Sequence, residues 1–251
     1  MIVWREKFVA TGIHFLVTLT LAAVAAALIF VVWFPDPFET MIGGTELFLL
    51  VVGCDLALGP LISLVIYDSR KSRRALVFDY AVVGVIQILA LVYGVHTLAA
   101  TRPVYVAFNH DRIEIVSAGD IRDDELAAAK SPIYASLPLT GPKLISITVP
   151  AADQQDAMFQ SVEGNEEHMR PRFYGPYETQ LAQIRARAKT IQELEEKHPE
   201  SKPLLDKAST GLPVPAQRVR WLPVHHRKGF WTALIDIENG KPLEYVDFDP
   251  Y

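Results

Sequence analysis

Cysteine is nearly absent: the chain has one, Cys54, and it stands inside a long apolar run. Without a second thiol there is no intramolecular disulfide, so every folded part must rest on its own core. Basic charge is scarce too. The connector 35–44 carries no Lys or Arg at all. Residues 101–251 hold 18 of the 24 basic side chains against 22 of the 29 acidic ones, a net charge of −4. A mildly acidic half argues against nucleic acid as a partner, because phosphate binding needs a basic face. It also argues against docking on anionic headgroups. There is no internal repeat, and the only biased tract is the alanine cluster at 22–27.

The signatures of catalysis are missing as well. No intact nucleophile elbow or phosphate loop is found. His225 and His226 are adjacent strand residues and point to opposite faces, so they do not share a metal ion easily. His110, His168 and His198 are scattered in loops. Asp55 and Asp79 raise the idea of an intramembrane aspartyl pair. Asp55 lies twelve residues from the end of its run, roughly 18 Å along a helix, and Asp79 only four residues into the next, roughly 6 Å. A shared proton needs carboxylates about 3 Å apart, so that reading is set aside. The expectation is a protein with no catalytic residues, no metal and no cofactor.

What the chain does have is three apolar runs, 11–34, 45–67 and 75–98. Each exceeds the roughly 20 residues that cross a hydrocarbon layer about 30 Å thick. The first is too long for a signal-peptide core and is followed by Trp33-Phe34-Pro35-Asp36-Pro37 rather than a small-residue cleavage site, so it reads as a retained helix. Arg5 and Lys7 precede the first run, and Arg70, Lys71, Arg73 and Arg74 fill the second gap. These six topology determinants place the N-terminus and the 68–74 loop in the cytoplasm, by the positive-inside rule. Three crossings then put residues 101–251 outside. The fold class expected is a three-helix transmembrane domain over 1–100, N-in and C-out, followed by a periplasmic α+β domain over 101–251.

Within the membrane runs, Asp55 is the sharpest residue. An ionisable side chain at that depth is costly and marks either a function or a specific internal contact. Gly59-Pro60 follows one turn later, where a proline inside a helix removes a hydrogen bond and a kink is expected. Gln87 is mid-helix and is expected to hydrogen-bond across to a neighbouring helix. His14 and Glu46 are placed near helix ends, where snorkelling is cheap.

In the second half, 104–108 and 112–117 read as strands around the turn Asn109-His110-Asp111, followed by a short helix over 120–130 and a strand over 143–149. Residues 151–162 read as helix and 163–176 as loop. A single amphipathic helix is predicted over 177–198 from Leu181, Ile184, Ala188, Ile191 and Leu194. A proline-punctuated loop over 199–215 precedes strands at 218–225, 229–236 and 243–248. Asn239-Gly240 turns the last pair. This order predicts a mainly antiparallel sheet with packed helices.

Several strings carry a resemblance. They are Phe34-Pro35-Asp36-Pro37-Phe38, Gly43-Gly44, the run Asp55-Leu56-Ala57-Leu58-Gly59-Pro60-Leu61-Ile62-Ser63-Leu64, and Arg102-Pro103-Val104-Tyr105-Val106. Asp111-Arg112, Val116-Ser117-Ala118-Gly119-Asp120 and, near the end, Leu234-Ile235-Asp236, Gly240-Lys241-Pro242-Leu243 and Asp249-Pro250 follow in order. On three helices in this sequence they resemble the type IV pilin accessory protein family of the TfpX/TfpZ type, nearly end to end, with 130–220 the least diagnostic part. The resemblance implies a non-enzymatic protein of the bacterial inner membrane that supports the stability or assembly of a cognate type IV pilin. The pilin is then the partner, through its membrane helix and its periplasmic head, alongside the lipid bilayer. Asp55, Gly59, Pro60 and Gln87 are the candidate contacts for the pilin helix or an internal polar site. The alternative is a sensory or regulatory membrane protein whose outer domain binds a ligand.

Overall fold

The computed structural model describes residues 4–68 and 70–251. The chain divides into two compact units, Met1–Thr101 and Arg102–Tyr251, and each is built by its own logic.

In the first unit the apolar runs fold as long helices. The first is α1 (Trp4–Leu28), which ends in a π-helical turn over Ile29–Trp33 before the prolines at 35 and 37. A short α2 (Phe38–Ile42) follows, and Gly43, at φ 87°, reverses the chain into α3 (Gly44–Ile66). The last is α4 (Arg73–Thr101). Helix α3 runs unbroken through Pro60. The central helix is α3, packed against both α1 and α4. These three helices are long and apolar enough to cross a membrane. Their outward faces carry large apolar side chains such as Val24, Val31, Leu50, Val65, Phe78 and Val92, all well exposed. A protein in water would bury that surface, whereas lipid accommodates it without cost.

The second unit is a seven-stranded sheet with helices around it. Its strands are β1 (Pro103–Asn109), β2 (Arg112–Ser117), β3 (Lys143–Ile147), β4 (Tyr174–Pro176), β5 (Val219–His226), β6 (Gly229–Asp236) and β7 (Pro242–Val246), in the order β4-β3-β1-β2-β5-β6-β7. The expectation of a mainly antiparallel sheet is corrected here: the sheet is mixed. The hairpins β1–β2, β5–β6 and β6–β7 and the pair β3–β4 are antiparallel, but β1–β3 and β2–β5 are parallel. Turn signals reveal hairpins. They say nothing about where a chain re-enters the sheet after a long connection, and parallel neighbours need such connections. Here one runs between β2 and β3 and the other between β4 and β5. Strands β1 and β2 are buried at nearly every position, so the alternation of a half-exposed strand is lost.

The connecting helices are α5 (Asp123–Ala127), α6 (Gln154–Val162), α7 (Leu181–Arg187), α8 (Ile191–Lys197) and α9 (Lys202–Ser209). The single helix predicted over 177–198 is also corrected. It is a 3-10 turn over Tyr177–Gln180 followed by α7 and α8, with a break between them. At the break Lys189 leaves the helical path and pairs with Trp221 of β5: its N–H donates to the Trp221 carbonyl at 3.0 Å, and the Trp221 N–H donates back at 2.9 Å. Thr190 then caps α8 by accepting from the Glu193 N–H at 3.3 Å. The 199–215 segment likewise holds a helix, α9, with Pro203 in its first turn. Proline is tolerated there because that N–H has no intrahelical partner. The 163–176 segment, read as loop, contains two 3-10 turns and the edge strand β4.

Candidate intramembrane polar site

Four polar side chains, contributed by all three long helices, line a single cavity of about 190 Å³ in the first unit. They are His14 and Thr18 of α1, Asp55 of α3 and Gln87 of α4; the Thr18 hydroxyl is already used, donating to the His14 carbonyl at 3.1 Å. Apolar residues including Val17, Leu21, Val52, Ile88 and Leu91 complete the lining. His14 Nε2 and Gln87 Oε1 are hydrogen-bonded at 2.8 Å, which ties α1 to α4 across the central helix. Gly59 is what lets them meet. A Cβ at that position would lie 2.3 Å from Gln87 Nε2 and 3.4 Å from His14 Nε2. The side chain missing from α3 is thus the slot in which the other two helices join. Asp55 is one helical turn from Gly59, on the same face of α3.

The structure therefore brings Asp55, Gly59 and Gln87 together, and Gln87 makes the cross-helix bond expected of it. Pro60 does not line the cavity. His14 is the residue that sequence reasoning misplaced. The apolar run begins at residue 11, but the helix begins at Trp4, because Arg5, Glu6 and Lys7 are helical too. His14 then sits ten residues into α1, roughly 15 Å along its axis, and is an interior partner rather than a snorkelling end. Asp79 is held by Lys71 at 2.6 Å and takes no part in the site.

The hydrogen bonds in the site are incompletely satisfied. Gln87 Nε2 and His14 Nδ1 are buried and have no partner among the described residues. The Asp55 side chain likewise makes no hydrogen bond or ion pair there. In hydrocarbon each open polar function costs several kcal/mol. Replacing Gly59 by alanine is expected to push the Gln87 amide aside and break its bond to His14. Such inter-helix bonds contribute about 0.6 kcal/mol on average and at most about 1.7, so the loss in detergent stability is expected to be of that order. In a Gln87→Ala background the same substitution should cost nothing further; equal losses in both backgrounds would show that the slot does not hold this bond.

The six basic residues gather at one end of the bundle. Lys7 Nζ donates to the Leu64 carbonyl at 3.2 Å, and Tyr67 Oη donates to Glu6 at 3.3 Å. These contacts join the start of α1 to the end of α3. Lys71 reaches Asp79 on α4, while Arg5, Arg70, Arg73 and Arg74 are exposed.

The second unit has its own buried charge cluster. Glu114 on β2, with its side chain 2% exposed, accepts from Arg112 Nε at 2.7 Å and is hydrogen-bonded to His225 Nδ1 at 2.7 Å. His226, the next residue of β5, is buried elsewhere against Trp231. Among the described residues no group of three potential ligands is arranged to hold a metal ion. Burial pushes the Glu114 carboxyl up, but the bond from His225, the electrostatic influence of His168 and His225 and the bond from Arg112 bring it below its ordinary value. The bond to Glu114 raises His225 above its ordinary value, against the opposing effect of burial.

The signs give a window. The Glu114 contribution is complete above the unfolded carboxyl value of 4.5 and is lost as pH falls through the lowered folded value. The His225 contribution is complete below the unfolded value of 6.5 and is lost as pH rises through the raised folded value. The pair is thus expected to stabilise most between these limits. The thermal midpoint of the full chain should fall as pH rises above 6.5, and His225→Gln should flatten that fall. An unchanged slope in the variant would remove His225 as its cause.

One apolar surface of this unit is also open. Ala157 of α6 enters the core beside Phe173, while Met158, Phe159 and Val162 of the same helix stay 61%, 58% and 85% exposed.

The family model described as Fimbrial assembly protein FimB matches residues 2–43, which span α1 and α2. The whole chain is similar to the fimbrial assembly protein of serogroup I of Dichelobacter nodosus: 32% identical over 249 residues, covering 96% of this chain and 95% of that one. The serogroup E1 protein of the same organism is 33% identical over 183 residues, covering 72% and 71%. That of serogroups C1 and C2 is 41% identical over 119 residues, covering 47% of this chain and 91% of its own. No solved structure matches the chain.

Proposed function

The chain belongs to the fimbrial assembly protein family, the type IV pilin accessory proteins, and from that premise we propose that it is a non-enzymatic, chaperone-like factor of the bacterial inner membrane. It binds a cognate type IV pilin and supports that subunit's stability or its assembly into fimbriae. The observation that carries the reading is the end-to-end similarity to a named fimbrial assembly protein, over both units and not the helices alone. Three helices with lipid-compatible outer faces fit a client that waits in the bilayer. The basic end of the bundle faces the cytoplasm by the positive-inside rule, and the α+β unit then lies in the periplasm. There the outward apolar side chains of α6 offer a surface to the pilin head, while Asp55, Gly59, Pro60 and Gln87 lie on the helices that meet the pilin's membrane segment.

The test is deletion of the gene, with surface fimbriae counted by electron microscopy and total pilin measured by immunoblot. Fimbriae are expected to be lost or sharply reduced, and supplying the chain in trans should restore them. Normal fimbriation together with normal pilin abundance would overturn the proposal.

A further inference from the structure

The cavity bounded by His14, Asp55 and Gln87 has the volume of a side chain. Liquid water occupies about 30 Å³ per molecule, so about 190 Å³ is far too small for a helix. Its rim residues Val17, Leu21 and Ile88 are among the exposed apolar side chains of the bundle. A group can thus reach the cavity sideways, from the hydrocarbon layer, when it is carried on another apolar helix.

Its chemistry follows from the open hydrogen-bonding functions. Gln87 Oε1 is bonded to His14, and the function of the amide left without a partner is the buried Nε2 N–H, a donor. With the His14 Nε2–H donating to Gln87, His14 Nδ1 is left as an acceptor. Asp55 presents a carboxyl with no partner among the described residues. The donor stands on α4 and the carboxyl on α3, so the complementary group needs an acceptor and a donor on two separate atoms. A lysine or arginine would answer Asp55 but bring one donor against another at Gln87. An aliphatic side chain would answer neither.

We propose that this cavity is a receptor for one side chain of an incoming transmembrane helix, and that this side chain ends in a carboxamide or carboxyl head. Such a head accepts from Gln87 and hydrogen-bonds with Asp55 in one plane. The identity of the helix, but not the chemistry of the cavity, rests on the proposed role as a pilin accessory factor.

The experiment places photoreactive benzoylphenylalanine at Ile88 of the full-length chain in native membranes and follows crosslinking with an antibody to the pilin. Crosslinking is expected in the parent. Asp55→Ala and Gln87→Ala should each lower the yield at least tenfold at equal protein level, whereas Asp55→Asn, which keeps a planar head, should retain most of it. Each polar residue of the pilin's membrane helix is also replaced in turn by leucine. One such change should cause the same loss, and asparagine or glutamine at that position should restore it. Yields indifferent to Asp55→Ala and Gln87→Ala overturn the proposal, and so does a loss in Asp55→Asn as severe as in Asp55→Ala. A loss in the cavity variants that no pilin substitution reproduces shows a pocket filled only by water or lipid. Normal fimbriae after gene deletion would instead remove the accessory role itself. Lost fimbriae after deletion, with full crosslinking in the cavity variants, would remove only the cavity's role.

Discussion

Trp221→Ala is expected to cost the α+β unit about 3–5 kcal/mol, the usual range for deleting a buried tryptophan. Trp221 is 3% exposed at the centre of a cluster with Leu194, Leu205, Val219, Leu234 and Val246. This cluster is where α8 and α9 meet the β5–β6–β7 side of the sheet. The indole N–H donates to the Thr190 carbonyl at 2.9 Å, and the Lys189 ammonium lies 5.0 Å from the ring centroid. Truncation therefore opens a cavity, orphans a carbonyl and frees the segment that joins α7 to α8. Trp221→Phe keeps most of the apolar area and loses the N–H, for about 1–2 kcal/mol. Urea denaturation of the full chain followed by circular dichroism measures both, and limited trypsin digestion should show new cleavage between α7 and α9 in the alanine variant. A loss below about 1 kcal/mol for Trp221→Ala would mean that the cluster re-packs, contrary to the cost usual for such truncations. The effect is large against a typical stability of about 5–15 kcal/mol.

The same tryptophan shows where sequence reading stops. Leu181, Ile184, Ala188, Ile191 and Leu194 keep a helical period across residues 181–194, and Ile184 and Leu194 are fully buried. Periodicity reports which side chains face inward, and that part was legible. It does not report that the backbone at Lys189 gives up its helical partners for a bridge to a strand thirty-two residues later. Hairpins were legible for a related reason. Asn109-His110-Asp111 and Asn239-Gly240 sit next to the strands they turn, so their signals are local. The two parallel pairings of the sheet depend on long crossovers with no local signature, and the expectation of a mainly antiparallel sheet failed there. Pro203 punctuates the sequence as a loop proline does, yet it stands in the first turn of α9, because a proline looks the same in both places.

In the membrane unit the spans were legible from length and apolarity alone, as the physics of an unsatisfied backbone in lipid requires. Asp55 and Gln87 stood out because polar residues are rare in such runs. In the sequence Gly59 stands out through its neighbour Pro60, yet what it contributes is the absence of a side chain. His14 is not legible as an interior residue because the apolar run and the helix do not begin together. A helix continues through Arg5, Glu6 and Lys7 at the bundle's polar end, and counting from Trp4 would have placed His14 at the depth of Asp55.

Gly94→Leu is expected to remove the protein from the membrane altogether, and comparison with Gly59→Ala separates scaffold from site. A Cβ at Gly94 would lie 2.5 Å from Val51 Cγ1, 3.1 Å from Cγ2 and 3.4 Å from Cβ. Valine is branched at Cβ and stiff about χ1, so it cannot swing away as the end of Gln87 can at Gly59. Even alanine at 94 should cost about 1–3 kcal/mol by overpacking, and leucine should force α3 and α4 apart. Exposed polar edges between separated helices would then be cleared by membrane proteases, and fimbriae should fall with the protein level on an immunoblot. Gly59→Ala, by contrast, should leave the level near normal while reducing pilin crosslinking at the cavity. The compensating variant decides whether the clash is the cause: Val51→Ala makes room, and combined with Gly94→Ala it should recover most of the lost thermal stability in detergent. If Val51→Ala adds its own cost and gives no recovery, close approach to Val51 is not what Gly94 provides, and the packing of α3 on α4 is held by other contacts, such as the 2.7 Å hydrogen bond between Ser63 Oγ and Tyr80 Oη.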